Sequence, residues 1–170
     1  MVDKDRFLQK LNENTEAKLS EDKEKDAQLK EKIDNAKKVV DLYLSSIENL
    51  IKSITNWVSG TPFEINIFDK KLSDTTRGIN TPLFYTAKYF SLTLGNINIT
   101  FDPLGCLKYP HNGLIDIDVN DLKLVKAYDN IFLLLDSNGN GKWYFSDNRK
   151  KYPVDGDSFR SFLLKTLNIE

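Results

Sequence analysis

Apolar residues recur at alternating steps of four and three residues through the second half of the N-terminal region. In an α-helix of 3.6 residues per turn, this heptad spacing keeps the apolar side chains in a narrow stripe on one side. The pattern predicts a helix whose stripe needs another surface to cover it. The stripe consists of Leu29, Ile33, Ala36, Val40, Tyr43, Ile47, Leu50, Ile54 and Trp57.

Two surfaces can cover this stripe. When Ile33 is assigned heptad position a, all four a positions are Val or Ile, a choice that favours two strands in parallel coiled coils. The sequence therefore predicts a homodimer that pairs through residues 29–57. Alternatively, the helix covers the sheet of its own chain, because Leu44, Ile51 and Val58 at position e widen the stripe toward its C-terminal end. The sequence leaves both alternatives open.

The residues before the stripe are mostly charged. Asp3 can cap a short first helix, on which Phe7, Leu8 and Leu11 form a small apolar face. Residues 12–28 contain few apolar side chains, and their charges alternate in sign. This segment is expected to be a solvated helix or a frayed linker.

The composition of the chain changes near residue 60. Every glycine and proline lies at or after Gly60, and so do most of the aromatic residues. Because glycine and proline are typical of turns between strands, the chain is expected to change from helix to sheet there. The predicted division is a helical arm over residues 1–60 and an antiparallel β domain with a C-terminal helix over residues 61–170.

Beyond Pro62 the apolar pattern changes to a period of two, which is typical of strands with one buried face. Gly95-Asn96 supplies the two-residue turn of a hairpin, residues 69–82 read as a polar loop, and residues 102–105 read as a turn. A helix is expected after Asp155-Gly156-Asp157, where Asp155 or Asp157 can cap it. The predicted fold class is α+β, with the C-terminal helix packed on a mainly antiparallel sheet. The predicted strands include residues 63–68, 90–94, 97–101, 115–120, 122–124, 131–135 and 143–145.

Charge and composition argue against several classes of protein. The 24 basic and 25 acidic residues give a net charge of -1, which argues against broad electrostatic capture of nucleic acid or anionic membrane. No apolar run reaches the roughly 20 residues of a membrane helix, and the N-terminus lacks a secretory apolar region. With the single Cys106, the chain is expected in the cytoplasm without an internal disulfide.

The segment from Asp136 to Asp147 partly matches a calcium-binding EF-hand loop. Asp136, Asn138, Asn140 and Gly141 occupy positions one, three, five and six of that pattern. The flanking residues read as strands, whereas an EF-hand needs helices. A hairpin turn is therefore the preferred interpretation, and no metal is predicted.

Candidate catalytic residues are few. His111 is the only histidine, and its neighbour in sequence, Cys106, makes a Cys-His pair conceivable, although a small buried thiol is the commoner role. Asp116 and Asp118 share one face of a strand and can serve a small hydrolase together with His111. Solvated strand faces give the same pattern.

A basic and aromatic cluster lies in residues 142–152. These side chains can stack on and neutralise a nucleic-acid strand, or anchor a protein partner. The residues assigned to partner binding are Trp143, Tyr144, Arg149, Lys150 and Lys151.

No phosphate-binding loop, nucleophile elbow or zinc-ligand motif is present, and the sequence implies no cofactor. The leading hypothesis is a non-catalytic protein that binds another protein, as an inhibitor, an immunity-type factor or an adaptor does. Nucleic-acid binding through residues 142–152 is the alternative, and a small hydrolase is the second alternative.

Overall fold

The computed structural model describes residues 3–107 and 111–169. A long N-terminal helix is followed by seven strands and a C-terminal helix, which confirms the predicted α+β class. The elements are α1 Lys4–Trp57, β1 Glu64–Asp74, β2 Leu83–Leu94, β3 Ile97–Gly105, β4 Gly113–Val119, β5 Asn130–Leu135, β6 Gly141–Asp147, β7 Lys150–Pro153 and α2 Gly156–Thr166.

The helix α1 is a single unbroken helix of 54 residues. The Asp3 side chain caps it and accepts a hydrogen bond from the backbone N–H of Asp5. Residues 12–28 are therefore helical rather than a frayed linker, because they are rich in Glu, Lys, Gln and Ala and contain no glycine or proline. The helix ends before Gly60, whose φ of 77° lies in the left-handed region that favours glycine.

The strands form one antiparallel sheet in which each strand pairs with the next along the chain. The predicted hairpin is confirmed, since Leu94 pairs with Ile97 across Gly95-Asn96. The C-terminal helix also begins as predicted. The Asp155 side chain accepts a hydrogen bond from the Ser158 backbone N–H, and the Ser158 side chain accepts one from the Asp155 backbone N–H.

Several local predictions were wrong. Strand β1 continues through residues 69–74, which were expected to be loop, because β2 offers it a partner at every residue. Residues 102–105 belong to β3 and contain a bulge rather than a turn. Residues 122–124 lie outside the sheet with Leu122 fully exposed, and β7 was not predicted.

The hydrophobic core lies between one face of the sheet, the second half of α1, and α2. The Tyr43 side chain of α1 is fully buried at its centre and donates a hydrogen bond of 2.7 Å to the Leu114 carbonyl. Gly113 makes room for it, since a Cβ there would lie 2.3 Å from the Tyr43 ring. From α2, Phe162 stacks on Phe145 at 5.2 Å between ring centroids. This core draws on residues from both sides of residue 60.

A buried carboxylate joins the end of β1 to the bulge in β3. Asp74 is 3 % exposed and accepts hydrogen bonds from the Tyr85 hydroxyl at 2.5 Å and the Cys106 backbone N–H at 2.8 Å. Gly105 has a φ of 133°, and a Cβ there would lie 2.6 Å from an Asp74 carboxylate oxygen. The close approach explains why glycine occupies this position.

We expect Asp74→Ala to lower the free energy of unfolding by about 3 kcal/mol, because it leaves the buried donors of Tyr85 and Cys106 without an acceptor. Urea denaturation measures the loss. The matched control is Asp69→Ala, which breaks an exposed ion pair with Lys88 and should cost less than about 1 kcal/mol. Equal losses in the two variants would contradict the structural role of Asp74.

Candidate protein-binding surfaces

The first half of α1, here called the arm and defined as residues 3–32, is exposed along its whole length. At 1.5 Å per residue it spans roughly 45 Å. Five large apolar side chains on it are between 41 % and 56 % exposed. A helix surface that faces only solvent usually carries polar residues instead. They are Phe7, Leu8, Leu11, Leu19 and Leu29.

Three of the five apolar residues of the arm, Leu8, Leu19 and Leu29, lie on the same side of α1 as its buried stripe. Leu19 precedes Ile33 by two heptads, and Leu8 precedes Leu29 by three heptads. Because α1 is unbroken, these residues continue the stripe in the same helical frame. The buried stripe and the three exposed leucines therefore share one face of the helix, although polar residues such as Asp22 and Asp26 lie between the leucines.

The sheet of the same chain covers most of the apolar stripe over residues 29–57 that was predicted to form a homodimer. The helix face that holds heptad positions a and d is called the seam below. The members of the stripe therefore divide between the intramolecular core and the solvent. Leu29 is exposed, whereas Ile33 and Trp57 are half-buried. The residues buried in this chain are Ala36, Val40, Tyr43, Ile47, Leu50 and Ile54. These six side chains cannot also cover a second helix, so self-association stays a prediction that rests on the residues before Ala36.

We expect Ile47→Ala to lower the free energy of unfolding by about 3 kcal/mol, since it opens a cavity in the core. Leu19→Ala, at the same heptad position on the arm, should change it by less than about 0.5 kcal/mol. Urea denaturation of the isolated chain measures both. A large loss in Leu19→Ala would mean that the arm already packs against this chain.

An open cleft of about 450 Å³ lies between α1 and the strands β6 and β7. The Trp143 indole forms one wall and donates a hydrogen bond of 3.1 Å to the Ser46 carbonyl. Trp143 is only 8 % exposed and belongs to the core. Other lining residues are Asn49, Ser53, Trp57, Tyr144 and Pro153. The cleft combines aromatic walls with small polar groups.

A column of stacked side chains crosses the face of the sheet opposite the core. The His111 ring lies 4.6 Å from the Phe132 ring, Phe132 lies 5.8 Å from Tyr144, and the Lys151 ammonium lies 4.9 Å above the Tyr144 ring. Strand pairing places Phe132 opposite Tyr144. Alternation along β6 therefore sends Tyr144 to this face and Trp143 to the core.

The structure thus brings together two of the five predicted partner-binding residues, Tyr144 and Lys151. Arg149 and Lys150 are exposed at the β6–β7 turn, in which Asn148 and Arg149 have φ values of 41° and 76°. Positive φ at both central residues is the geometry of a tight two-residue hairpin. Sequence reasoning missed His111 and Phe132 as members of the column, because only the strand register reveals them.

The proposed hydrolase residues are not joined by hydrogen bonds in the described chain. His111 packs on Phe132, and burial lowers the pKa of its imidazole. Its Nδ1 atom is buried and has no hydrogen-bond partner among residues 3–107 and 111–169. Asp116 and Asp118 lie on the outer face of β4, and within the described chain no hydrogen bond joins either carboxylate to His111.

Cys106 is buried beside Tyr85, with 3.6 Å between its Sγ and the Tyr85 hydroxyl. Burial raises the pKa of the Cys106 thiol to about 12, so that the nucleophilic thiolate is scarce at neutral pH. The sequence prediction that this cysteine is a small buried residue agrees with its place in the core.

The loop at Asp136 is a hairpin turn between β5 and β6, as the sequence favoured. Asp136 accepts hydrogen bonds from the backbone N–H groups of Asn138 and Asn140, which lower the pKa of its carboxyl group. That this loop binds no calcium stays a prediction. Among the described residues, no three His, Cys, Asp or Glu side chains cluster as metal ligands do.

No protein-family model, no curated protein and no solved structure matches the chain. Within residues 3–107 and 111–169, no helix has the length and apolar character needed to cross a membrane. The surfaces described above are therefore the basis on which function is inferred.

Proposed function

We propose that this protein acts without catalysis, by binding another protein, as an inhibitor, an immunity-type factor or an adaptor does. The exposed leucines of the arm, on the helix face that continues the buried stripe, carry the proposal. An isolated polar helix is marginally stable in water, and most helices in proteins owe their stability to packing of an apolar face. A partner that covers these leucines would supply that packing.

The surroundings of the candidate catalytic residues support a binding role. Nucleophilic catalysis needs an activated group with a base within hydrogen-bond reach. Here the Cys106 thiol is held protonated, and His111 packs against an aromatic ring. The single cysteine also fits the reducing cytoplasm, which remains the proposed location.

A photo-crosslinking residue placed at Leu19 in the host organism tests the proposal. We expect a discrete adduct with a protein, because Leu19 is one of the exposed leucines. The same residue placed at Glu24, on the opposite side of the arm, should give little adduct. Mass spectrometry of the adduct distinguishes a second copy of this chain from a different protein. Absence of adducts at Leu19, or equal adducts at both positions, would contradict the proposal.

Binding of single-stranded nucleic acid is the second candidate, and the column that ends at Tyr144 and Lys151 favours it. If it is correct, Tyr144→Ala combined with Lys151→Glu should weaken binding of a labelled oligonucleotide by at least about tenfold. Lys71→Glu, on β1 at the other edge of the sheet, serves as the control. Fluorescence anisotropy measures the affinity, and no binding by the unaltered protein would dismiss this candidate.

A further inference from the structure

Between residues 18 and 37, helix α1 carries lysine at every position that flanks the seam. When Ile33 is assigned heptad position a, six lysines fall at positions e and g. Because α1 is one unbroken helix, this frame describes a real surface of the molecule. The six residues are Lys18, Lys23, Lys25, Lys30, Lys32 and Lys37. In coiled coils these flanking positions meet the charged side chains of the partner helix.

Four of the six acidic residues of the same segment lie on the opposite side. Glu21, Glu24, Glu31 and Asp34 occupy positions b, c and f, which point away from the seam. Among the described residues, only Lys25 of the six lysines forms an ion pair, with Glu21 at 2.7 Å. Most of the acidic residues therefore lie away from the lysine flanks, and within the described chain these lysines form a single ion pair.

The seam between these lysine flanks contains both apolar and acidic side chains. Leu19 and Leu29 present apolar side chains, whereas Asp22 and Asp26 stand at the core positions between them. A helix that covers this seam must place apolar groups against the leucines. It must also place basic or amide groups against the two carboxylates, because an unpaired buried charge is strongly unfavourable.

A second copy of the arm meets these requirements poorly. In a parallel in-register pair, Lys18 would face Lys23 of the other copy, and Lys25 would face Lys30. Asp22 and Asp26 would each face their own equivalents in the seam. Like charges across a helix pair are destabilising, and antiparallel pairing again sets lysine edges against lysine edges. The charge pattern therefore opposes the homodimer predicted from the apolar pattern.

We propose that the arm docks an acidic amphipathic helix of a different protein. This inference rests on the proposed binding function and specifies its partner. The partner helix has apolar residues facing Leu19 and Leu29, Glu or Asp along both flanks, and a basic or amide residue facing Asp22 and Asp26. Opposite charges along the two flanks select this partner over a second copy.

A pair of synthetic peptides tests the inference with the full-length protein. Both have four heptads with Ile at a and Leu at d, and both have Lys at the two core positions opposite Asp22 and Asp26. One peptide has Glu at every e and g position, and the other has Lys there. At about 0.05 M salt the Glu peptide should bind at least about tenfold more tightly in calorimetric titration, and the difference should shrink at higher salt.

Two charge variants of the protein provide the matched comparison. Lys18→Glu, Lys23→Glu, Lys25→Glu and Lys30→Glu together should reverse the preference between the peptides. The control combines Arg6→Glu, Lys10→Glu, Lys38→Glu and Lys52→Glu, which change the net charge equally but lie at exposed positions b and f. The control should keep the preference for the Glu peptide, since these positions do not flank the seam.

The possible results separate the two proposals. Equal affinity for both peptides, binding of neither, or equal loss of preference in the two variants would overturn the acidic-helix inference. A crosslinked partner at Leu19 would then still uphold a binding function. Light scattering that shows a dimer at micromolar concentration, in preference to a complex with the Glu peptide, would overturn the inference in favour of a second copy.

Discussion

The packing of the α1 stripe against the sheet is the interaction on which the rest of this structure depends. Tyr43, Ile47 and Ile54 are fully buried in it, and they bring the helix into contact with strands that are far apart along the chain. An antiparallel sheet needs a cover on its apolar face, and α1 with α2 supplies it. Gly113 is part of the same fit, because a side chain there would occupy the space of the Tyr43 ring.

This anchoring also explains how the arm can be helical. Formation of the first turn is the costly step for a helix, whereas extension adds one hydrogen bond for each residue that is fixed. The buried half of α1 provides that first turn, and the helix extends from it through a segment without glycine or proline. The arm therefore presents its seam in a defined helical frame, which is a requirement for recognition by another helix.

The groups with the most reactive chemistry have structural roles in this fold. Asp74, Tyr85 and Cys106 form one hydrogen-bonded group that holds the bulge of β3 to the end of β1. His111 packs on Phe132 on the other face of the sheet. On the surface of the molecule, the arm is distinguished by its length, its exposed apolar residues and its lysine flanks.

Local patterns in the sequence determined the helices and most of the strands. The Gly95-Asn96 turn and the start of the C-terminal helix depend on neighbouring residues, and both predictions were confirmed. Alternation with a period of two predicted most of the strands, although residues 122–124 lie outside the sheet. The lysine flanks of the arm can likewise be read from the sequence once its helix is known to be unbroken. Non-local pairing decided the remainder. A heptad stripe shows that a face must be covered, but only the tertiary structure shows that the sheet covers it from Ala36 onward and leaves Leu19 exposed. The full length of β1, the column at Tyr144 and the burial of Asp74 depend on strand register, which brings together residues that have no local signal in common.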